Sequence, residues 1–213
     1  MARDRTDRLD TKKRTEAACE RDDAQRAAWW ASILTIPAGT LVFLDETGTN
    51  TAMTTRYARA PRGQRATTHA PRNHGPNVTL VAALCLTGMG PVMVSAGAMT
   101  ESVFVAYVAH FLVPWLEPGQ VVVLDNLAAH TGDQARTRIE AAGCTLRFLP
   151  PYSPDFSPIE GSMSKLKADL RRAKARTRDA LDAAIAHAVA AISPTDASGW
   201  FYGCGYVPLR QPL

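Results

Sequence analysis

Leu41-Val42-Phe43-Leu44-Asp45 is a run of four apolar residues that ends in a carboxylate, with Gly48 just beyond it. A run this short and this apolar reads as a buried strand entering a turn. The same figure returns as Val121-Val122-Val123-Leu124-Asp125. Ligands of open α/β sheets sit at the carboxyl ends of strands, where both aspartates fall. A lone Asp after a strand reads as a turn or cap residue. Two of them on neighbouring strands would repel each other, and a cation is the usual stabiliser. Oxygen donors of this kind suit Mg²⁺, with Mn²⁺ as a substitute.

Working outward from these two strands, the pattern is mixed. Asn77 to Leu86 reads as a strand closed by Thr87-Gly88, and Pro91 to Ala96 as its hairpin partner. Arg62-Gly63-Gln64 reads as a turn and Arg65 to His69 as a short strand. Phe104, Val108, Phe111 and Trp115 repeat at helical spacing until Pro118-Gly119. Gly132 to Ala142 reads as a helix stopped by Gly143, and Thr145 to Leu149 as a strand. Ile159, Met163, Leu166 and Leu170 mark another helix; Leu181, Ile185, Ala188 and Ile192 mark a last one. Strands come first, then helices alternate with strands. The expected class is α/β, a mixed sheet flanked by helices, in the order of a ribonuclease H-like fold.

The chain has 213 residues, 46% of them apolar and 21% charged, enough for one domain and a substantial core. Residues 1–38 read as an N-terminal extension and 39–213 as the domain proper. Within the extension, Ala18 to Ala31 reads as a helix that Trp29-Trp30 would dock on the domain. The four cysteines are far apart and form no CxxC pair, which argues against a zinc site; Cys85 and Cys144 read as buried thiols. No signal peptide or membrane-length apolar run is present, so a cytoplasmic protein is expected.

Net charge is only +4, but it is unevenly placed. No acidic residue occurs from Thr47 to Thr100, where Arg56, Arg59, Arg62, Arg65 and Arg72 fall. A second cluster holds Lys165, Lys167, Arg171, Arg172, Lys174, Arg176 and Arg178. Such patches suit a polyanion; they also read as an ordinary solvated surface.

Glu160 has two readings. Ser157-Pro158-Ile159-Glu160 fits a capping box, with Ser as N-cap and Glu at the third helical position. Alternatively, Glu160 lies one residue round from the apolar stripe of its helix, and a helix laid across the sheet would aim it at the strand ends. Lys167, two turns on, would then face a phosphate.

Three segments together resemble a known family. They are Leu44-Asp45-Glu46-Thr47-Gly48, then Leu124-Asp125-Asn126 with His130, then Pro150-Pro151-Tyr152-Ser153-Pro154-Asp155 leading to Pro158-Ile159-Glu160. They resemble bacterial insertion-sequence transposases of the mariner-like superfamily, which carry a DDE catalytic triad. The 34 residues between Asp125 and Glu160 match that family's spacing. The basic stretch Arg59 to Arg65 resembles its basic hairpin.

The resemblance implies that Asp45, Asp125 and Glu160 are catalytic and bind two Mg²⁺ ions, Asp45 bridging them. It implies cleavage of transposon-end DNA and strand transfer to target DNA. Arg59, Arg62, Arg65, Lys165, Lys167 and Arg171 are the expected DNA contacts. Asn126 and His130 are expected beside the metal ligands or on the DNA, although His130 also reads as a packing residue. Tyr152 reads as packing under its loop and not as touching a base.

Where the family often has Asn and a larger polar residue, this chain has Ser157 and Gly161. Gly161 costs about 1 kcal/mol in helix propensity and is expected to loosen the turn that carries Glu160. Family members also carry a helix-turn-helix region that the first forty residues are too short to hold. The chain is therefore expected to be either truncated or the second half of a split reading frame, with that region on a separate chain, and a homodimer is the expected assembly. Two other functions fit parts of the sequence. One is a transposase remnant that binds DNA without cutting it. The other is a haloacid dehalogenase-type phosphatase, although that motif requires Asp where Thr47 stands.

Overall fold

The computed structural model of the chain describes residues 19–125 and 132–206. The described residues form one five-stranded sheet: β1 (Leu41–Thr49), β2 (Val78–Cys85), β3 (Gly88–Ala96), β4 (Val121–Leu124) and β5 (Thr145–Phe148). Its order is β3-β2-β1-β4-β5. The first three strands are antiparallel neighbours, whereas β4 runs parallel to β1 and β5 parallel to β4. The helices are α1 (Asp23–Ile33), α2 (Glu101–Tyr107), α3 (Asp133–Ala141), α4 (Ile159–Ala173), α5 (Arg178–Ala190) and α6 (Pro194–Gly203). A π-helical segment, Val108–Leu112, extends α2.

Both faces of the sheet are buried, which explains why its central strands read as unbroken apolar runs. Side chains alternate between faces along a strand. Leu41 and Phe43 of β1 and Val121 and Val123 of β4 enter one core, with Met163 and Leu166 of α4, Ile185 of α5 and Phe201 of α6. Val42, Leu44, Val122 and Leu124 enter the other, under Phe104, Tyr107 and Ile139. By the same alternation Asp45 and Asp125 fall on the face that α4 covers.

Three expectations are corrected. Arg65 to His69 forms no strand, and residues 56–70 are exposed throughout. That stretch has no alternating apolar residues to bury, so pairing would gain little. The turn before it is present, with Gln64 N–H donating to the Pro61 carbonyl and Gly63 at φ 83°. The helix expected to end near Ile192 does so, but α6 follows it. Ser193 accepts from the Asp196 amide and Asp196 from the Ser193 amide, a capping box with Pro194 at the first position. Finally, β1 does not stop at Asp45 but continues to Thr49 against β2.

The N-terminal helix docks as expected, through an aromatic stack. Trp29 and Trp30 lie 5.4 and 4.9 Å from the Phe156 ring, and Trp30 also meets Tyr206 at 5.3 Å. Arg26, only 5% exposed, reaches past them. Its guanidinium donates to both Asp155 carboxylate oxygens, at 3.0 and 2.6 Å, and lies 3.9 Å over the Phe156 ring. These hydrogen bonds hold the Asp155 carboxyl below the usual carboxylate range. The clasp ties α1 to the proline-rich loop that leads into α4.

Gly161 has a packing reason. A β-carbon there would fall 2.5 Å from Trp200 Cδ1 and 2.7 Å from Cγ and Nε1. The indole of α6 thus lies against the first turn of α4, and Gly161 tightens that turn instead of loosening it.

Two outcomes are expected from thermal unfolding. Gly161→Ala should gain about 1 kcal/mol in helix propensity yet lose roughly 1–3 kcal/mol by overpacking. Its melting temperature should therefore fall, whereas in a Trp200→Ala background the same change should raise it. Arg26→Ala removes a buried cation from its anion. It should cost about 2 kcal/mol, less than a fully buried pair because Asp155 is half exposed. That is a drop of roughly 4–8 °C for a domain of this size.

Candidate active site

The register of β1 and β4 sets the first two carboxylates. Leu41, Val42 and Phe43 lie beside Val121, Val122 and Val123. Carried two residues on, the same register brings Asp45 level with Asp125. Adjacent strands are roughly 5 Å apart, so the two side chains on one face are close. Because β4 ends at Leu124 while β1 runs on, the sheet opens there into a cleft of about 430 Å³.

Leu44, Asp45 and Asp125 line one side of this cleft; Pro150 to Pro154, Ser157 and Glu160 line the other. Glu160 is exposed in the first turn of α4. The helix's N-cap is Pro158, with no side-chain cap, so the capping-box reading of Glu160 is overturned. Ser157 contributes its carbonyl to the Glu160 amide, not its hydroxyl. The carboxylate is left to point at the cleft beside a helix N-terminus, where negative charge is favoured.

Like charge couples the three. The Asp45 pKa is pushed up to about 7, first by burial and next by the charge of Glu160, with smaller contributions from Glu46 and Asp125. One hydrogen bond opposes this, from the Glu46 amide to Asp45 Oδ1 at 2.7 Å. A carboxyl raised this far is both desolvated and crowded by like charge.

The donor set is all carboxylate oxygen, which fits Mg²⁺ or Mn²⁺ and not a thiophilic metal. Among the described residues, no three His, Cys, Asp or Glu side chains stand close enough together to share an ion as they are set. Glu160 is exposed and has room to turn toward the two aspartates. The cysteines are free thiols, with Cys85 and Cys144 buried as expected.

The expected DNA contacts divide into three groups. Arg59, Arg62 and Arg65 are exposed on the long segment between β1 and β2. Lys167 and Arg171 are half-buried on α4. Lys165 is committed internally: its ammonium donates to Asp196 at 2.7 Å and to the Ala191 carbonyl at 3.0 Å, bracing α4 against α6. Arg176 is likewise structural, donating to the Thr51 and Met53 carbonyls. Asn126 and His130 lie outside the described residues. Sequence reasoning missed Arg26, whose distance in sequence from Asp155 left no local signal. It also misread Tyr152, which is 56% exposed in the cleft.

Solved structures share this fold. The chain is similar to the Mos1 mariner transposase in a paired-end complex with Mn, at 18% identity and a TM-score of 0.72 over 94% of this chain and 64% of that one. Its similarity to the Mos1 strand transfer complex has a TM-score of 0.70 at 18% identity, covering 94% of this chain and 63% of the other. The isolated Mos1 catalytic domain with raltegravir and Mn matches at 14% identity and a TM-score of 0.61, over 89% of this chain and 92% of that one. This chain therefore spans just under two thirds of the Mos1 chains in the DNA complexes. At these identities the likeness establishes the ribonuclease H-like fold. No curated protein sequence matches the chain significantly. The model of the DDE superfamily endonucleases matches residues 40–182, more than half of the chain and all three cleft carboxylates. The chain belongs to the DDE superfamily endonuclease family.

Proposed function

We propose that this chain is the catalytic module of a DNA transposase, cutting phosphodiesters at transposon ends and joining the freed strand to target DNA. The observation that carries the reading is the gathering of Asp45, Asp125 and Glu160 around one cleft, inside a chain of the DDE endonuclease family. The structural relatives include complexes of Mos1 transposase with transposon-end DNA, which supports DNA as the substrate class.

Asp45, Asp125 and Glu160 would hold two divalent ions, Mg²⁺ or Mn²⁺. Such ions, when bound, polarise the phosphodiester and lower the pKa of an attacking water or 3′-hydroxyl. Asp45 would be the central ligand: its carboxyl feels the charge of both Glu160 and Asp125, and it would have to release its proton to ligate. Arg59, Arg62 and Arg65 would neutralise backbone phosphates from the exposed segment, and Lys167 and Arg171 from α4. Lys165 is withdrawn from that set because its charge is spent on Asp196.

The chain would act in the bacterial cytoplasm on nucleoid DNA, as a homodimer. Among the described residues no helix is long and apolar enough to cross a membrane, which fits a DNA-acting module. A phosphatase reading has no support: Thr47, where that chemistry needs a second Asp, is buried at 3% exposure.

The test is a labelled transposon-end duplex incubated with the chain and MnCl₂. Nicking is expected, and Asp125→Asn or Glu160→Gln should lower its rate at least about a thousandfold, the loss of several kcal/mol of transition-state stabilisation. Binding without nicking would mean a remnant; hydrolysis of a small phosphate ester would mean a phosphatase.

The raised Asp45 pKa makes a second prediction. Because its carboxyl keeps its proton to about pH 7, nicking at low Mn²⁺ should climb through that pH. Raising Mn²⁺ should move the midpoint lower, since metal and proton compete for one group. The same group destabilises the metal-free fold as pH rises from about 4 to about 7, because the unfolded chain loses its proton first. Asp45→Asn should thus abolish nicking while raising the metal-free melting temperature at pH 8 by roughly 2–4 °C, equivalent to about 1 kcal/mol.

A further inference from the structure

Among the described residues lining the cleft Tyr152 is the one aromatic, and the chemistry above leaves it unused. Its ring is 56% exposed and lines the same cleft as the three carboxylates. Its backbone sits at φ 54°, a left-handed conformation that a bulky side chain disfavours. A surface aromatic in a strained backbone gives the isolated fold nothing in return. Strained positions of this kind gather where a group must be presented.

The surroundings hold the presentation in place. Pro150 and Pro151 precede Tyr152. Ser153, only 4% exposed, donates its hydroxyl to the Pro151 carbonyl at 3.1 Å. Its own carbonyl accepts from the Phe156 amide. Asp155, three residues on, is clasped by Arg26. Tyr152 is thus a rigid flat face on a braced loop, not a side chain waiting to fold inward. A flat apolar face beside a site for phosphodiester chemistry matches a nucleobase. Stacking on it is sequence-tolerant, because every base has a π-face. Bases inside a duplex are already stacked on each other, so the partner must be unpaired or turned out of the helix.

We propose that Tyr152 is a stacking platform for one unpaired nucleobase next to the scissile phosphate. The proposal rests on the DNA-cleaving reading of the cleft and adds a base subsite to it.

The test walks 2-aminopurine along the strands of the transposon-end duplex and measures its fluorescence on mixing with the full chain. One position beside the cut should be quenched. Tyr152→Phe should keep that quench, since the ring face and not the hydroxyl is used. Tyr152→Ala and Tyr152→Asn should lose it, with KM for nicking rising about ten- to a hundredfold and kcat little changed. Asn tolerates the left-handed backbone, so its loss of quench would not reflect a collapsed loop. On a duplex made abasic at that position, all these variants should nick alike.

Equal quench and KM in wild type and Tyr152→Asn would overturn the proposal, as would a Tyr152→Asn defect that persists on the abasic duplex. Nicking by wild type with no quenched position would also overturn it while leaving the cleavage reading intact. A Tyr152-dependent quench without any nicking would uphold the platform and sink the cleavage reading instead.

Discussion

Repulsion among carboxylates is the constraint around which this molecule is arranged. Asp45 lies in a largely buried position on the central strand, with Asp125 level with it on the next strand and Glu160 across the cleft. Desolvation and like charge lift its pKa to about 7. Left to itself, such a cluster weakens a fold. Its persistence is understandable if a doubly charged ion relieves it, and the all-oxygen donor set suits Mg²⁺ or Mn²⁺.

The scaffold that brings Glu160 to the cluster is built from both ends of the chain. Residues 40–182 match the family, yet the first turn of α4 is braced from outside that span. On one side Arg26 of α1 clasps Asp155, and Trp29 and Trp30 stack on Phe156. On the other, Trp200 of α6 lies against Gly161, and Lys165 is tied to Asp196. Tyr206 closes the stack by donating its hydroxyl to the Phe156 carbonyl. The glycine beside Glu160 is matched by an indole that fills the missing side chain's place.

What could be read from the sequence followed from local periodicity. The two apolar runs ending in Asp45 and Asp125 are strands, and alternation along them sends both aspartates to one face. The helical stripe from Ile159 to Leu170 is α4, and its resemblance motif led to Glu160. Reading failed where local pattern has several uses. Ser157-Pro158-Ile159-Glu160 looks like a capping box, yet the helix starts one residue later and the glutamate faces the cleft. The real capping box, Ser193-Pro194-Thr195-Asp196, was visible but stood past the point where the last helix was expected to end. Arg65 to His69 has strand-like residues but no apolar face. Lys165 was counted among the DNA contacts because an ion pair to a residue thirty-one positions away leaves no mark in sequence. Tyr152 was expected to pack under its loop; it stands 56% exposed on a left-handed backbone.

The proposed chemistry requires Glu160 to join the two aspartates around a common ion. Crystals soaked in MnCl₂ and measured at the manganese absorption edge would locate that ion directly. Anomalous density in the cleft, within ligating distance of Asp45, Asp125 and Glu160, is the predicted result. Manganese held by the aspartates alone with Glu160 turned to solvent, or found only outside the cleft, would contradict it.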